Sequence, residues 1–166
     1  MTVLVAGIGN VFQGDDGFGV EVARRLLAEP ESLPAGVRAA DYGIRGVHLA
    51  YELLNGYDAL VLIDALPQGG VPGTVYVFKP DPVGPPSDGP GPVMDAHDMN
   101  PQAVLGHVRA LGGVVDRVVV VGCEPADVTD RMGLSPAVEA AVGPAVDTVR
   151  EVAAELVAET DSTERV

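Results

Sequence analysis

The chain has 166 residues, with Lys+Arg 10 against Asp+Glu 24 and a formal net charge of -14. This is the length of one domain with a real core, and its acidity argues against nucleic acid or an anionic membrane as the main partner. A single cysteine, Cys123, excludes an internal disulfide and every multi-cysteine zinc or iron–sulfur pattern. With no basic leader and no run of 18 apolar residues, the expectation is a cytoplasmic protein without a membrane span.

Residues 2–7 (TVLVAG) read as a buried strand ending on Gly7-Ile8-Gly9-Asn10. Val20, Ala23, Leu26 and Leu27 then share one face of a helix from about Gly17 to Ala28, with Asp15 or Asp16 placed to cap its first turn. Pro30 and Pro34 precede a second strand over 37–41, and a helix follows through Val47, Leu49, Ala50, Leu53 and Leu54 to Asn55-Gly56. Residues 59–64 (ALVLID) are apolar on both faces, as a doubly covered parallel strand requires. Only nine residues separate them from the next strand, 74–79. A parallel crossover needs about a dozen, so this strand is expected antiparallel at an edge.

Residues 80–96 carry six prolines and three glycines and form a long irregular loop. A helix starts at Asn100-Pro101 and carries Val104, Leu105, Val108 and Leu111, and residues 117–122 (RVVVVG) make another covered strand. Ser135-Pro136 supplies an N-cap and a first-turn proline for a last helix through Val138, Val142, Val149, Ala153 and Leu156, which Pro144 is expected to kink or split. The alternation specifies one three-layer α/β domain over residues 1–160, with a mostly parallel sheet, an antiparallel edge strand and a polar tail over 161–166.

In open parallel sheets, ligands bind beyond the carboxyl ends of the strands. Four features fall there: Gly7 to Asp16, Asp41, Asp64, and Gly122 to Pro125. The glycines do not make a dinucleotide fingerprint, because Phe12 stands where the third glycine is needed and Asp15-Asp16 would repel a pyrophosphate. They suit a tight turn and close backbone approach instead. Of the acidic pair, one member can cap the helix while the other projects into the cleft.

Asp64 ends an apolar run, where a carboxylate is costly unless it is hydrogen-bonded or binds a cation. His97, in Asp95-Ala96-His97-Asp98, sits where the long loop gives way to a helix. Two carboxylates and one imidazole leave coordination positions open, as catalytic metal sites do; the bland alternative makes both acids structural acceptors. His48 and His107 read as surface or packing residues. Glu124 beside Cys123 raises rather than lowers the thiol pKa, and no serine lies in a G-x-S-x-G elbow.

Gly7-Ile8-Gly9-Asn10 with Asp15-Asp16-Gly17 and Gly19-Val20 resembles the opening of the nickel–iron hydrogenase maturation endopeptidases. Asp41-Tyr42-Gly43, Leu62-Ile63-Asp64-Ala65, Asp95-Ala96-His97-Asp98, Val121-Gly122-Cys123-Glu124-Pro125 and Gly133-Leu134-Ser135-Pro136 follow in the expected order. The resemblance implies an α/β/α sandwich around a twisted, mostly parallel sheet. It also implies a cytoplasmic protease that removes a short C-terminal extension from the precursor of a hydrogenase large subunit after nickel insertion. By matching motifs, Asp16, Asp64 and His97 form the metal-binding triad and the catalytic set, with Asp41 as a further candidate for orienting the site.

The nickel that the resemblance implies is the substrate-borne ion rather than a resident cofactor. Either that metal or, as in aspartyl proteases, a carboxylate activates water. Gly43, Ile44 and Arg45 would shape the neighbouring pocket, with Arg45 meeting a carbonyl or carboxylate of the substrate tail. Two departures are Asp16, where many relatives carry Glu, and Phe12, where Leu is usual. The expected state is a monomer that docks on a much larger partner. The competing reading is a non-catalytic nickel-sensing chaperone on the same precursor.

Overall fold

The computed structural model describes residues 2–80 and 101–164, with side chains up to residue 159. Among them, strands β1 (Val3–Ile8), β2 (Val37–Gly43), β3 (Ala59–Ala65), β4 (Val75–Phe78) and β5 (Arg117–Cys123) form one sheet. Its order is β2-β1-β3-β5-β4. The pairs β1–β2, β1–β3 and β3–β5 are parallel. β4 runs antiparallel against β5 at the edge, as its short connection demands.

Alternation along the strands explains the layers. Val3 and Val5 of β1, Ala59, Val61 and Ile63 of β3, and Val119 and Val121 of β5 share one core. On that face they meet Phe18, Val22 and Leu26 of helix α1 (Phe18–Ala28) and Val138, Val142 and Val149 of helix α4 (Pro136–Glu164). The intervening residues Leu4, Ala6, Leu60, Leu62, Val118 and Val120 belong to a second core. There they pack on Leu49, Ala50 and Leu53 of helix α2 (Gly46–Leu53) and on Val104 and Val108 of helix α3 (Pro101–Ala110). A period of two with both phases apolar therefore produces helices on both faces.

Two expectations are corrected. Neither Asp15 nor Asp16 caps α1: the cap position is Gly17, without a side-chain hydrogen bond, and a 3-10 turn over Gly14–Gly17 leads into the helix. Pro144 does not split the last helix, which runs unbroken from Pro136 to Glu164. The residue before it is Gly143, which lacks the Cβ that would clash with the proline ring. Ala140, whose carbonyl loses its helical partner, lies on the exposed side. The backbone stays helical past residue 160, so part of the expected polar tail is an extension of α4.

The glycines do what their spacing suggests. A Cβ on Gly7 would overlap the Gly19 carbonyl oxygen, and one on Gly19 would overlap the carbonyl oxygens of Ile63 and Ile8. The start of α1 thus rests directly on the backbones of β1 and β3. Gly9 has φ 137° and ends β1 with its Cα against the Asp16 carbonyl. Here the positive φ and the close approach both require glycine.

Candidate active site

The carboxyl ends of β1, β2 and β3 bring three of the four candidate residues, the acids Asp16, Asp41 and Asp64, to one end of the sheet. Register fixes this: Gly7 pairs with Asp41 on one side and with Ile63 on the other. Asp64 follows at the end of β3, opposite Gly122.

Asp64 is 2% exposed, and the backbone N–H of Ala65 donates to its Oδ1 at 2.8 Å. Burial drives its pKa well above the usual carboxylate range, the nearby Asp16 charge pushes the same way, and the Ala65 hydrogen bond opposes both. The Asp64 Oδ1 lies 3.6 Å from where a Gly9 Cβ would stand, and the Asp16 carbonyl lies on the same glycine. The missing side chain of Gly9 is therefore what admits the backbone of Asp16, while Asp64 Oδ1 would stand at ordinary contact distance.

Asp16 is half-buried, and its Oδ2 accepts the Asn10 N–H at 2.8 Å. Burial raises its pKa while the Asn10 bond pulls the other way. One buried and one half-buried carboxylate near enough for their charges to interact would be relieved by positive charge, and their chemistry suits a cation. Among the described residues no group of three His, Cys, Asp or Glu is placed to hold a metal. His97, the third expected ligand, lies outside the described residues.

Asp41 stands at the neighbouring strand end. Its Oδ1 accepts the Gly43 N–H at 2.9 Å, and Arg24 approaches Oδ2 at 3.8 Å. The Gly43 carbonyl in turn accepts the Gly9 N–H at 3.0 Å, so this turn buttresses the Gly9 loop. Arg45 donates to the carbonyls of Asp41 and Tyr42 at 3.0 and 3.3 Å, knitting its own loop together.

The sequence reading missed Asp15 as a hub. It is fully buried (0% exposed), and its Oδ1 accepts Ser135 N–H at 2.7 Å. Its Oδ2 accepts Ala126 N–H at 2.8 Å, Asp127 N–H at 2.9 Å and the Ser135 hydroxyl at 2.8 Å. Burial favours the neutral acid, but these donors together outweigh it and leave the pKa lowered. No local signal announces partners more than 100 residues away. Glu124 was missed in the same way: its buried carboxylate accepts Gln68 and Gly69 N–H at 2.7 and 3.0 Å and the Tyr76 hydroxyl at 3.2 Å, clamping the β3–β4 connection onto β5.

Cys123 is buried, and its thiol is pushed up to about 11, first by burial and then by the Asp15 charge. Burial and the raised pKa both disfavour the thiolate that a nucleophilic role would need. Iodoacetamide at pH 8 is expected to leave the folded protein unmodified and to alkylate it within minutes in urea. Mass spectrometry reads the result, and fast modification of the folded protein would contradict the assignment.

The whole chain has clear relatives. Residues 20–152 match the family model for hydrogenase maturation protease. The chain is 37% identical over 154 residues to the hydrogenase expression/formation protein HupD of Rhodobacter capsulatus, covering 92% of this chain and 71% of that one. It is 28% identical over 155 residues to the hydrogenase 2 maturation protease of Escherichia coli, covering 90% and 88%. Among solved structures, the hydrogenase maturating endopeptidase HybD from E. coli superposes with a TM-score of 0.69 at 28% identity, over 93% of both chains. The hydrogenase 2 maturation peptidase of a Thaumarchaeota archaeon does so with a TM-score of 0.67 at 30% identity, over 92% and 97%. The resemblance carried by the motifs therefore holds along the chain, and the protein belongs to the hydrogenase maturation protease family, a peptidase by descent and by fold.

Proposed function

We propose that the protein is an endopeptidase that removes the C-terminal extension of a nickel-loaded hydrogenase large-subunit precursor. The observation that supports this most strongly is the Asp16–Asp64 pair, two carboxylates crowded at the sheet end with one N–H apiece among their hydrogen bonds. Such a pair is relieved by a divalent ion carried in by the substrate. Asp16, Asp64 and His97 are the residues for it, and α3 begins at Pro101, four residues after His97 in sequence. Asp41, through Gly43 and Gly9, orients the loop on which the pair depends.

In the reaction, water adds to the scissile carbonyl carbon, and a site carboxylate takes its proton. That proton passes to the leaving nitrogen as the C–N bond breaks. The substrate's nickel fixes the scissile bond against the acids and polarises the carbonyl. Ligation of the substrate's own ion makes nickel insertion the signal for cleavage.

The protein works as a cytoplasmic monomer on a larger partner. In support, no helix among the described residues is long and apolar enough to cross a membrane, and the charge of -14 disfavours nucleic acid and anionic lipid.

Purified protein is to be incubated with nickel-loaded and with nickel-free precursor, and the C-terminal products weighed by mass spectrometry. Cleavage of the nickel-loaded form alone is expected. Precursor left intact in both samples would overturn the reading and leave the chaperone alternative. His97→Ala is expected to lower cleavage at least about 100-fold, the scale of losing one transition-state contact; undiminished cleavage would remove His97 from the site.

A further inference from the structure

Asp15 carries no chemistry in the reading above, yet it is the most thoroughly hydrogen-bonded side chain at this end of the molecule. Its carboxylate accepts from four donors, Ser135 N–H on Oδ1 and Ala126 N–H, Asp127 N–H and the Ser135 hydroxyl on Oδ2, so both oxygens are engaged in holding the 126–135 segment. The backbone reinforces the attachment: Asp15 N–H donates to the Asp127 carbonyl at 2.8 Å, Gly14 N–H to Arg131 at 2.9 Å, and Arg131 N–H to Phe12 at 3.1 Å. The 126–135 segment is thereby laced along the loop that bears Asp16.

Consecutive residues of a 3-10 turn point about 120° apart. Both acids lie on the Gly14–Gly17 turn, so anchoring one on the 126–135 side directs the next away from it. Asp16 goes to Asn10 N–H and into the field of Asp64. An aspartate has only two side-chain torsions, so its carboxylate follows its backbone closely and cannot make up a displaced Cα. We propose that Asp15 is a positioning residue, whose anchorage to residues 126–135 sets the placement of the Asp16 carboxylate against Asp64. The inference rests on the assignment of Asp16 and Asp64 to the reaction.

The experiment is a double-mutant cycle on cleavage of the nickel-loaded precursor. Asp15→Asn keeps the shape but sets an amide N–H against at least one backbone N–H donor. It is expected to lower kcat by about 10- to 100-fold, the scale of a displacement near 1 Å, with KM within about twofold. In the Asp16→Glu background the longer side chain has one more torsion and absorbs the shift, so the same substitution is expected to lower kcat less than about threefold. Equal losses in the two backgrounds, or no loss in either, would overturn the proposal.

Should Asp15→Asn not fold, Ser135→Ala removes only the hydroxyl donor and runs through the same cycle. It is expected to lose about three- to tenfold in kcat, reduced in the Glu background. A parent protein that leaves the precursor intact defeats the protease reading, and a crystal structure then decides the role of Asp15 separately. An Asp16 carboxylate displaced by about 1 Å in either variant supports positioning, and an unmoved one overturns it.

Discussion

Asp64→Asn is expected to stabilise the folded protein by about 0.5–2 kcal/mol while lowering precursor cleavage by a factor on the order of 10³ or more. Both effects come from one circumstance. The carboxyl group is buried beside Asp16, and burial first, then the neighbouring charge, raise its pKa in the folded state. Between the usual carboxylate pKa and the raised one, the folded protein binds a proton that the unfolded chain has lost. Stability therefore falls as pH rises through that window. The penalty is absent below the unfolded value and complete above the folded one.

Asparagine does not titrate, and its oxygen can still accept the Ala65 N–H. Its advantage over aspartate should therefore open across the same window and then level off. Urea denaturation of both proteins in a chelating buffer, from pH 4 upward, measures the difference. An Asn variant less stable than the parent above the window would show that the acid is held by interactions stronger than its burial and repulsion. Loss of function with gain of stability is the expected signature of an acid kept for what it binds.

Gly19→Ala is expected to destabilise by at least about 3 kcal/mol, visible as a large fall in the urea midpoint or as insoluble expression. The added methyl would overlap the carbonyl oxygens of Ile63 and Ile8. Both are backbone atoms of paired strands, so neither can swing aside like a side-chain tip. Relief requires α1 to lift off the sheet. That movement carries the Gly14–Gly17 turn with it and draws Asp16 away from Asp64, so any protein that does fold should cleave poorly. A shift below about 1 kcal/mol would mean that helix and sheet are less tightly seated than the backbone contacts require.

Much of this architecture was legible because it is written in local pattern. The continuous apolar runs of β1, β3 and β5 specify strands covered on both sides, and the short link from Asp64 to β4 forces the antiparallel edge. The carboxyl ends of β1, β2 and β3 then gather Gly9, Asp41 and Asp64 at one end of the sheet.

What the sequence hid depends on partners far along the chain. Asp15 and Asp16 look interchangeable as neighbouring acids, and only the 126–135 segment separates their roles. Glu124 looks like a modifier of Cys123, whereas its oxygens hold Gln68 and Gly69. Pro144 carries a strong breaking tendency that tertiary packing overrides, with Val142, Ala145, Val146 and Val149 of the same helix buried around it. Of the expected triad, Asp16 and Asp64 stand at the same end of the sheet, and His97 lies outside the described residues.

The central place of β1 also bears on how the molecule assembles. β1 precedes both of its partners in the chain, so its edges wait for Val37 onward on one side and for Ala59 onward on the other. Chain-closure entropy must be overcome before either pairing contributes, which slows folding and leaves strand edges open meanwhile. The second of those pairings is also the event that brings Asp64 up to Asp16. The cost of burying Asp64 beside Asp16 therefore falls on the step that seals the middle of the sheet, so forming the site and completing the fold are a single event, opposed by the desolvation of the acid that the site needs.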